Sequence, residues 1–227
     1  MLTRLLTPMV TLGLVTLLGA SAAMPAAGAY ADEAGAALGE RLAAIRQFEA
    51  RFTQTVFGAR GEVLQNAEGR LAIERPWRFR WEVDAPYPQL IVTVSGPDGE
   101  RIYIHDPDLD QVTIRSLDDS LSGTPAMILA GDPDQIATQF EVSRRDTDGG
   151  ELFELTPRDE RSLYDRLHLI FGAEHLERIE ILDSFGQMTQ VSFSDVTLNE
   201  PIDPARFSFE IPAGAEVIDD VGDAAIH

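Results

Sequence analysis

The sequence predicts a mainly β (α+β) protein, built on an antiparallel sheet of about eleven strands with a few short helices. Apolar and polar residues alternate along many short segments, which is the two-residue period of a strand. The segments between them, such as DAPYP, GPDGE and DPDLD, are rich in Pro, Gly and Asp and are typical of turns. Most successive strands have no long helix between them, which favours antiparallel hairpins over parallel βαβ units.

The sheet is expected to be preceded by one amphipathic helix over residues 32–46. Leu38, Leu42 and Ile45 follow the i, i+4, i+7 spacing of a single helix face. The period then changes to two, and strands are expected at 48–56, 62–75, 78–83, 89–95, 101–105 and 111–116.

Two helix-start signals follow one another in the stretch SGTPAMILAGDPDQIATQF. Thr124 followed by Pro125 predicts a short helix over residues 126–130 that ends at Gly131. The pair Asp132-Pro133 repeats this signal and predicts another helix over residues 134–139. Helices this short are not stable alone, so both are expected to pack against another part of the protein.

Strands resume after these helices and continue almost to the end of the chain. Residues 212–227 are polar and expected to be partly loose, with 221–227 a disordered tail. A sheet of so many strands twists and curls, which creates a concave apolar face. The later strands are expected at 140–145, 151–157, 166–171, 176–182, 188–196 and 206–211.

Residues 1–31 are predicted to be a secretory signal peptide. A start with one positive charge, Arg4, is followed by a Leu- and Val-rich run and by the A-x-A pattern at 29–31. The apolar run is shorter than the roughly 20 residues that a membrane-spanning helix needs. The chain has no cysteine, so neither a disulfide nor a thiol for a lipid anchor is expected. Residues 32–220 are expected to form one exported domain without a stable membrane anchor.

The charge balance argues against nucleic acid as a partner. The chain has 18 basic residues, all of them Arg, against 38 acidic ones, which gives a net charge of −20. Phosphate backbones require basic surfaces. The use of Arg without Lys is open to two interpretations, genome composition or adaptation to high salt, where screening weakens self-repulsion.

No motif for catalysis, cofactor binding or metal binding stands out. His105, His168 and His175 lie on different predicted elements and are interpreted as surface or structural residues. The DPDLD stretch has the D-x-D-x-D spacing of a calcium loop but lacks the Gly and Glu that such a loop needs. A solvated hairpin turn is the better interpretation.

The stretch GRLAIERPWRFRWEV, residues 69–83, contains an anomaly. Its large apolar residues share one parity, and Arg75 falls on that parity too. The aromatic residues alone fit an ordinary core. A buried guanidinium, however, requires acceptors, and the ends of the two short helices supply unsatisfied carbonyls. Arg75 is therefore predicted to hold those helices over the apolar face as a lid.

At these residues the chain resembles the LolA family of periplasmic carriers of outer-membrane lipoproteins. The similarity extends over residues 34–220 and consists of several motifs in the right order. They are FEARFTQTV, RPWRFRW, YIHDPDLDQVTI, TPAMILAG and IDPARFSFEIPAGAEVIDD.

The resemblance implies an unclosed antiparallel β-barrel with a lid of short α-helices over a hydrophobic cavity. It implies no enzymatic activity and no cofactor, with Arg75 as the residue that latches the lid. The acyl-chain cavity is then expected at Phe52, Leu71, Ile73, Trp77, Phe79, Trp81, Leu90 and Val92. The lid is expected to include Thr124, Pro125, Met127, Ile128, Leu129 and Ile136.

The partners implied by the resemblance are acylated outer-membrane lipoproteins, the inner-membrane LolCDE transporter and the outer-membrane receptor LolB. A monomer in the periplasm is expected. Three alternatives are a LolB-like receptor, a lipoprotein-sensing protein on the same fold, and a periplasmic lipid hydrolase. The first would require a cysteine for its anchor, the second favours an added domain, and the third requires a catalytic motif.

Overall fold

The computed structural model describes residues 27–96, 99–116, 129–131 and 133–221. Two helices, α1 (Ala27–Ala43) and α2 (Pro133–Gln139), accompany twelve strands. The strands before α2 are β1 (Gln47–Phe57), β2 (Val63–Glu74), β3 (Arg78–Ala85), β4 (Gln89–Gly96), β5 (Gly99–Asp106) and β6 (Gln111–Ser116). Those after it are β7 (Phe140–Thr147), β8 (Gly150–Pro157), β9 (Tyr164–Phe171), β10 (Leu176–Asp183), β11 (Met188–Leu198) and β12 (Glu216–Asp219).

All twelve strands belong to a single sheet in the order β12-β6-β5-β4-β3-β2-β1-β11-β10-β9-β8-β7. Neighbouring strands are antiparallel, except that β12 runs parallel to β6. The strands β12 and β7 lie at opposite ends of this order and do not pair with each other. The prediction of a mainly β, unclosed antiparallel sheet is confirmed.

The hydrophobic core lies on the concave face of the sheet, beneath α1. Alternate residues of β1, β2, β3, β8, β9, β10 and β11 point into it, as the two-residue period requires. Leu38 and Leu42 of α1 are fully buried there. The largest fully buried side chains of the sheet in this core are Phe48, Phe52, Leu71, Ile73, Phe79, Ile102, Phe153, Leu155 and Phe171.

Helix α1 lies a few residues earlier in the chain than predicted, at Ala27–Ala43 instead of 32–46. Its end is set by Asn199, whose side-chain amide donates to the carbonyl of Ala44 at 2.9 Å and accepts from the N–H of Arg46 at 2.8 Å. These bonds satisfy backbone groups that a helix end leaves open. The helix begins inside the predicted signal peptide, of which residues 1–26 lie outside the described part. Neither α1 nor α2, within the described ranges, is long and apolar enough to cross a bilayer.

The end of the chain differs from the prediction. The segment predicted as a strand at 206–211 crosses the convex face of the sheet, and the last strand is instead β12, within the segment expected to be loose. Asp203 accepts from the N–H of Ala205 at 2.9 Å and starts a 3-10 turn at Pro204–Phe207. Buried Phe207 then packs with Ala72, so this apolar segment lies on a sheet face without joining a ladder.

The antiparallel register sends alternate hairpin loops to opposite ends of the sheet. The β2–β3 turn lies at one end, which we call the lid end. The loops β1–β2, β3–β4, β5–β6, β8–β9 and β10–β11 lie at the other end, which we call the mouth. Four of the mouth loops carry a strongly exposed large apolar side chain: Tyr87, Leu109, Leu163 and Phe185.

Candidate functional site

A cleft of about 410 Å³ lies between the two halves of the sheet on the concave side, towards the mouth. Its volume is within the range of small-molecule sites. One wall comes from β1 to β5 and the other from β9 to β11. Its apolar residues are Ala67, Trp81, Val83, Ile91, Ile181 and Val191. Its polar residues are Gln54, Gln65, Tyr87, Gln89, Asp106, Tyr164, Asp183 and Thr189.

The apolar floor of the cleft continues into the core through an aromatic stack. The rings of Phe52 and Trp81 stack with centroids 3.8 Å apart and an interplanar angle of 22°. Gly69 lies directly opposite Phe52 in the β1–β2 pair. A Cβ at Gly69 would lie 2.6 Å from the Phe52 ring and 2.0 Å from the carbonyl oxygen of Glu82. Glycine therefore provides the space in which the stack forms.

At the lid end, the β2–β3 turn holds the segment that precedes α2. The guanidinium of Arg75 donates through Nη1 to the carbonyl of Gly131. The backbone N–H of Trp77 donates to the carbonyl of Ala130 at 3.2 Å. Two neighbouring carbonyls are thus bound by one turn. This is the contact that the sequence argument expected of Arg75, and its role in lid opening stays a prediction.

The described residues of the predicted lid pack against the core next to that contact. Leu129 and Ile136 are buried in the same cluster as Phe52 and Trp81. The predicted second lid helix is observed as α2 (Pro133–Gln139). Thr124, Pro125, Met127 and Ile128 lie outside the described residues.

Five of the predicted cavity residues belong to one buried cluster on the concave face. Their roles in binding acyl chains stay predictions. The five are Phe52, Leu71, Ile73, Phe79 and Trp81.

Leu90 and Val92 were assigned to the wrong face of β4. Ile91 pairs with Trp81 and shares the concave face with it, so its two neighbours point to the convex side. There Leu90 pairs with His105 and Val92 with Tyr103. Ile91 is the residue of this strand that lines the cleft. Both faces of this strand are covered, so its residues 90–92 are all apolar. The sequence pattern therefore does not indicate which of them faces the cleft.

Trp77 also departs from the prediction. The alternation was expected to continue through it, but residues 75–77 form the hairpin turn and Trp77 has a left-handed φ of 65°. Its side chain is half-buried and lies outside the core cluster. Its carbonyl accepts from the hydroxyl of Thr93 at 2.5 Å. In the structure Trp77 therefore forms part of the turn that binds Ala130.

Two carboxylates of the cleft were not singled out from the sequence. Asp106 and Asp183 are the last residues of β5 and β10 and lie on opposite walls. Gln89 donates to Oδ1 of Asp106 at 2.8 Å. Burial, and secondly the charge of Asp183, raise the pKa of the Tyr164 phenol above its ordinary value. Asp106 had been noted only as part of the DPDLD turn.

The DPDLD stretch forms a tight turn. Pro107–Leu109 is a 3-10 helix, and Asp110 closes it with a left-handed φ of 49°. Among the described residues, no three His, Asp or Glu side chains are arranged to hold a metal ion.

The comparisons with known proteins agree with this architecture. The family model described as "Outer membrane lipoprotein carrier protein LolA" matches residues 43–210. An outer-membrane lipoprotein carrier protein of Chromohalobacter salexigens is 42% identical over 209 residues, covering 90% of this chain and 96% of the relative. One from Pseudomonas aeruginosa is 37% identical over 209 residues, covering 89% and 97%.

A solved structure shares the fold at low identity. An uncharacterised conserved protein from Thermus thermophilus superposes with a TM-score of 0.51 at 12% identity, covering 83% of this chain and 98% of that one. The family match spans most of the chain, and the two carrier relatives align along nearly their whole length. This chain belongs to the LolA family of outer-membrane lipoprotein carrier proteins.

Proposed function

We propose that this protein is a periplasmic carrier that binds the acyl chains of outer-membrane lipoproteins and releases them at the outer membrane. The observation that carries the proposal is the cleft, with its apolar floor between two sheet halves that are not closed into a barrel. A fully buried methylene contributes about 0.8 kcal/mol, so one sixteen-carbon chain contributes on the order of 12 kcal/mol. A rigid, permanently open cavity would hold such a ligand too tightly for transfer.

The contact between Arg75 and Gly131 supplies the opposing free energy. With residues 129–131 and 133–139 of the lid held down, Leu129 and Ile136 fill the core. A ligand must displace them and break that hydrogen bond before its chains reach the buried cluster. The apparent affinity for the ligand is the affinity of the open state multiplied by the fraction of molecules that are open. Net binding is thereby brought into a range that permits release.

The partners follow from the family. The inner-membrane LolCDE transporter loads the carrier, and the outer-membrane receptor LolB accepts the lipoprotein. The carrier is a monomer exported by its signal peptide, residues 1–31, and catalyses no reaction. Exposed Tyr87, Leu109, Leu163 and Phe185 around the mouth are available as apolar contacts for both partners.

Loading with an acylated lipoprotein tests this function directly. Protein purified from the periplasm is expected to carry an intact acylated lipoprotein in native mass spectrometry. Val83→Glu is expected to abolish that loading, because Val83 is half-buried in the cleft and a charge there meets the apolar chains. Phe79 is fully buried, so a charge at that position would test folding instead.

The matched control is Leu64→Glu. Leu64 is 54% exposed, and its parity on β2 places it on the convex side, opposite to Ala67 of the cleft. It adds the same charge outside the site and is expected to load normally. An empty wild-type protein, or equal loading of the two variants, would refute the function. Bound free fatty acid instead of lipoprotein would indicate a hydrolase.

A further inference from the structure

The charged groups that line the cleft are of one sign. Asp106 and Asp183 face the cleft from its two walls, and among the residues that the structure describes, none of those that line the cleft is Arg, Lys or His. The other polar side chains there are three amides, two phenols and one hydroxyl. The protein has 18 arginines, so the absence of cations from this lining is a local property of the site.

Both carboxylates are held in fixed positions. Oδ1 of Asp106 accepts from the side chain of Gln89 at 2.8 Å. Oδ1 of Asp183 accepts from the backbone N–H groups of Phe185 and Gln187, at 2.9 and 2.8 Å. Each of these partners is a neutral donor.

The depth of these groups determines which part of a ligand they meet. Along β10, Ile181 precedes Asp183 on the same face, and along β5, Ile104 precedes Asp106. The apolar residues lie deeper and the carboxylates lie at the strand ends, at the mouth. A ligand with its acyl chains on Trp81 and Ile181 therefore has its head group at the level of the two carboxylates.

We propose that Asp106 and Asp183 make the cleft selective for acyl chains attached to a polypeptide, and that they exclude the phosphate head group of anionic phospholipids. This inference rests on the proposed function. A phosphate needs Arg, Lys or a set of backbone N–H groups to replace its water. Among the described lining residues of this cleft it would meet two carboxylates and no cation. A peptide head group presents N–H donors, which these carboxylates and the amides of Gln54 and Gln65 can accept.

Any carrier of acyl chains needs such selectivity for a physical reason. Its apolar floor does not distinguish the chains of a lipoprotein from those of a membrane phospholipid, since both are hydrocarbon. Discrimination must then come from the head group, and repulsion of the wrong ligand is an effective means. The two carboxylates supply that repulsion at the entrance.

The test compares the two ligands in competition. The mature protein is incubated in detergent micelles with a synthetic palmitoylated lipopeptide of neutral sequence and an excess of phosphatidylglycerol, and native mass spectrometry counts each complex. The wild type is expected to carry the lipopeptide. The variant Asp106→Asn/Asp183→Asn is expected to raise the ratio of phospholipid to lipopeptide roughly tenfold or more, the size of an effect of about 1.4 kcal/mol.

The matched control removes two charges just outside the cleft. Asp108 and Asp110 are exposed and do not line it, so Asp108→Asn/Asp110→Asn should leave the ratio unchanged. Asparagine keeps an acceptor oxygen at positions 106 and 183, so the hydrogen bonds of both side chains can remain. The single variant Asp106→Asn should change the ratio of phospholipid to lipopeptide in the same direction but by less. The opposite change is Gln65→Arg, which places a cation on the exposed rim of the cleft and should increase phospholipid binding.

The outcomes separate the two proposals. A wild type that takes up no lipopeptide refutes the carrier function and with it this inference. A wild type that takes up lipopeptide, combined with an unchanged ratio in the double variant and in Gln65→Arg, refutes the selectivity alone. The same ratio change in the control pair would also refute it, because the effect would then reflect the net charge of the protein.

Discussion

The contact between Arg75 and Gly131 joins a hairpin turn of the sheet to the segment before α2, 56 positions away in the chain. It is a hydrogen bond from a charged donor to a backbone carbonyl, in a part-buried setting. Bonds of this kind contribute about 1.5–3 kcal/mol. Substitution of Arg75 should therefore have a measurable effect on the free energy with which the turn holds that segment.

Substitution of Arg75 by leucine is expected to impair release while preserving loading. The open state becomes easier to reach, so the affinity for lipoprotein rises and its transfer to LolB falls about tenfold or more. Transfer from the preloaded variant to LolB in a reconstituted assay measures this. Arg78→Leu is the control, because Arg78 pairs with Glu74 and contacts the ring of Phe207, away from the lid segment. Normal transfer by Arg75→Leu would contradict the mechanism.

Tyr164 links the charge of the cleft to stability at alkaline pH. Its pKa is raised by burial and secondly by Asp183, so the folded protein keeps the phenolic proton at a pH where the unfolded chain, with a pKa of about 10, loses it. The stabilisation is complete below about pH 10 and is lost as the pH rises through the pKa of the folded state. Urea unfolding between about pH 9 and 11.5 measures the loss.

Two variants separate the causes. Tyr164→Phe should remove this component of the decline in stability entirely. Asp183→Asn should reduce it, because the acceptor oxygen for Phe185 and Gln187 remains while the charge is gone. Identical declines in the wild type and in Tyr164→Phe would show that another group is responsible.

At the scale of elements, the hairpin β2–β3 brings most parts of the site together. Its strands carry Leu71, Ile73, Phe79 and Trp81 into the core, and its turn carries the bond to the lid. The register of this hairpin shifts between Glu68 and Gly69. The irregularity coincides with the glycine that leaves room for the Phe52 ring.

Replacing Gly69 by alanine is expected to destabilise the protein by about 1–3 kcal/mol, because the added methyl overlaps Phe52 and a backbone carbonyl. Gly39→Ala in α1 is the matched control. No atom lies within 4 Å of a Cβ at that site, so the higher helix propensity of alanine should stabilise the protein by about 0.5–1 kcal/mol. Urea unfolding measures both, and two changes of the same sign would contradict the packing argument.

Helix α1 is fixed to the sheet by ion pairs as well as by its apolar face. Glu151 of β8 accepts from Arg41 of α1 at 2.6 Å and from Arg144 of β7 at 2.5 Å. Arg41 also lies over the ring of Phe171, 5.4 Å from its centroid. These contacts join the C-terminal part of α1 to β7, β8 and β9 at the lid end.

At the scale of the whole molecule, the net charge of −20 sets the response to salt. Self-repulsion destabilises a compact state with so many like charges, and salt screens it. Salt also weakens ion pairs, but exposed pairs contribute only about 0–1 kcal/mol each. We expect repulsion to dominate, so the melting temperature should rise from low to molar NaCl. A flat or falling melting temperature would refute adaptation to salt and favour genome composition as the origin of the Arg usage.

Much of the architecture could be predicted from local sequence. The alternation that predicts β8, β9 and the first half of β1 is repeated in their burial patterns, because there one face lies in the core and the other is more exposed. Alternation fails as a guide where both faces are covered. On β4, Leu90 and Val92 point to the convex side and Ile91 to the cleft. The segment 206–211 has the alternation of a strand, yet it packs on a sheet face instead of joining an edge.

The sequence by itself determined the family, the mainly β class and the choice of Arg75 as the residue that binds a lid carbonyl, since these depend on composition, period and the chemistry of one anomalous side chain. Only the tertiary structure decided which residues of each strand lie on the concave face of the sheet, and that residues 75–77 form a hairpin turn. It alone placed Asp106 and Asp183 on opposite walls of one cleft. The physical reason is that β5 and β10 meet only through the curvature of the whole sheet, and no local pattern encodes a distance between strands so far apart in its order.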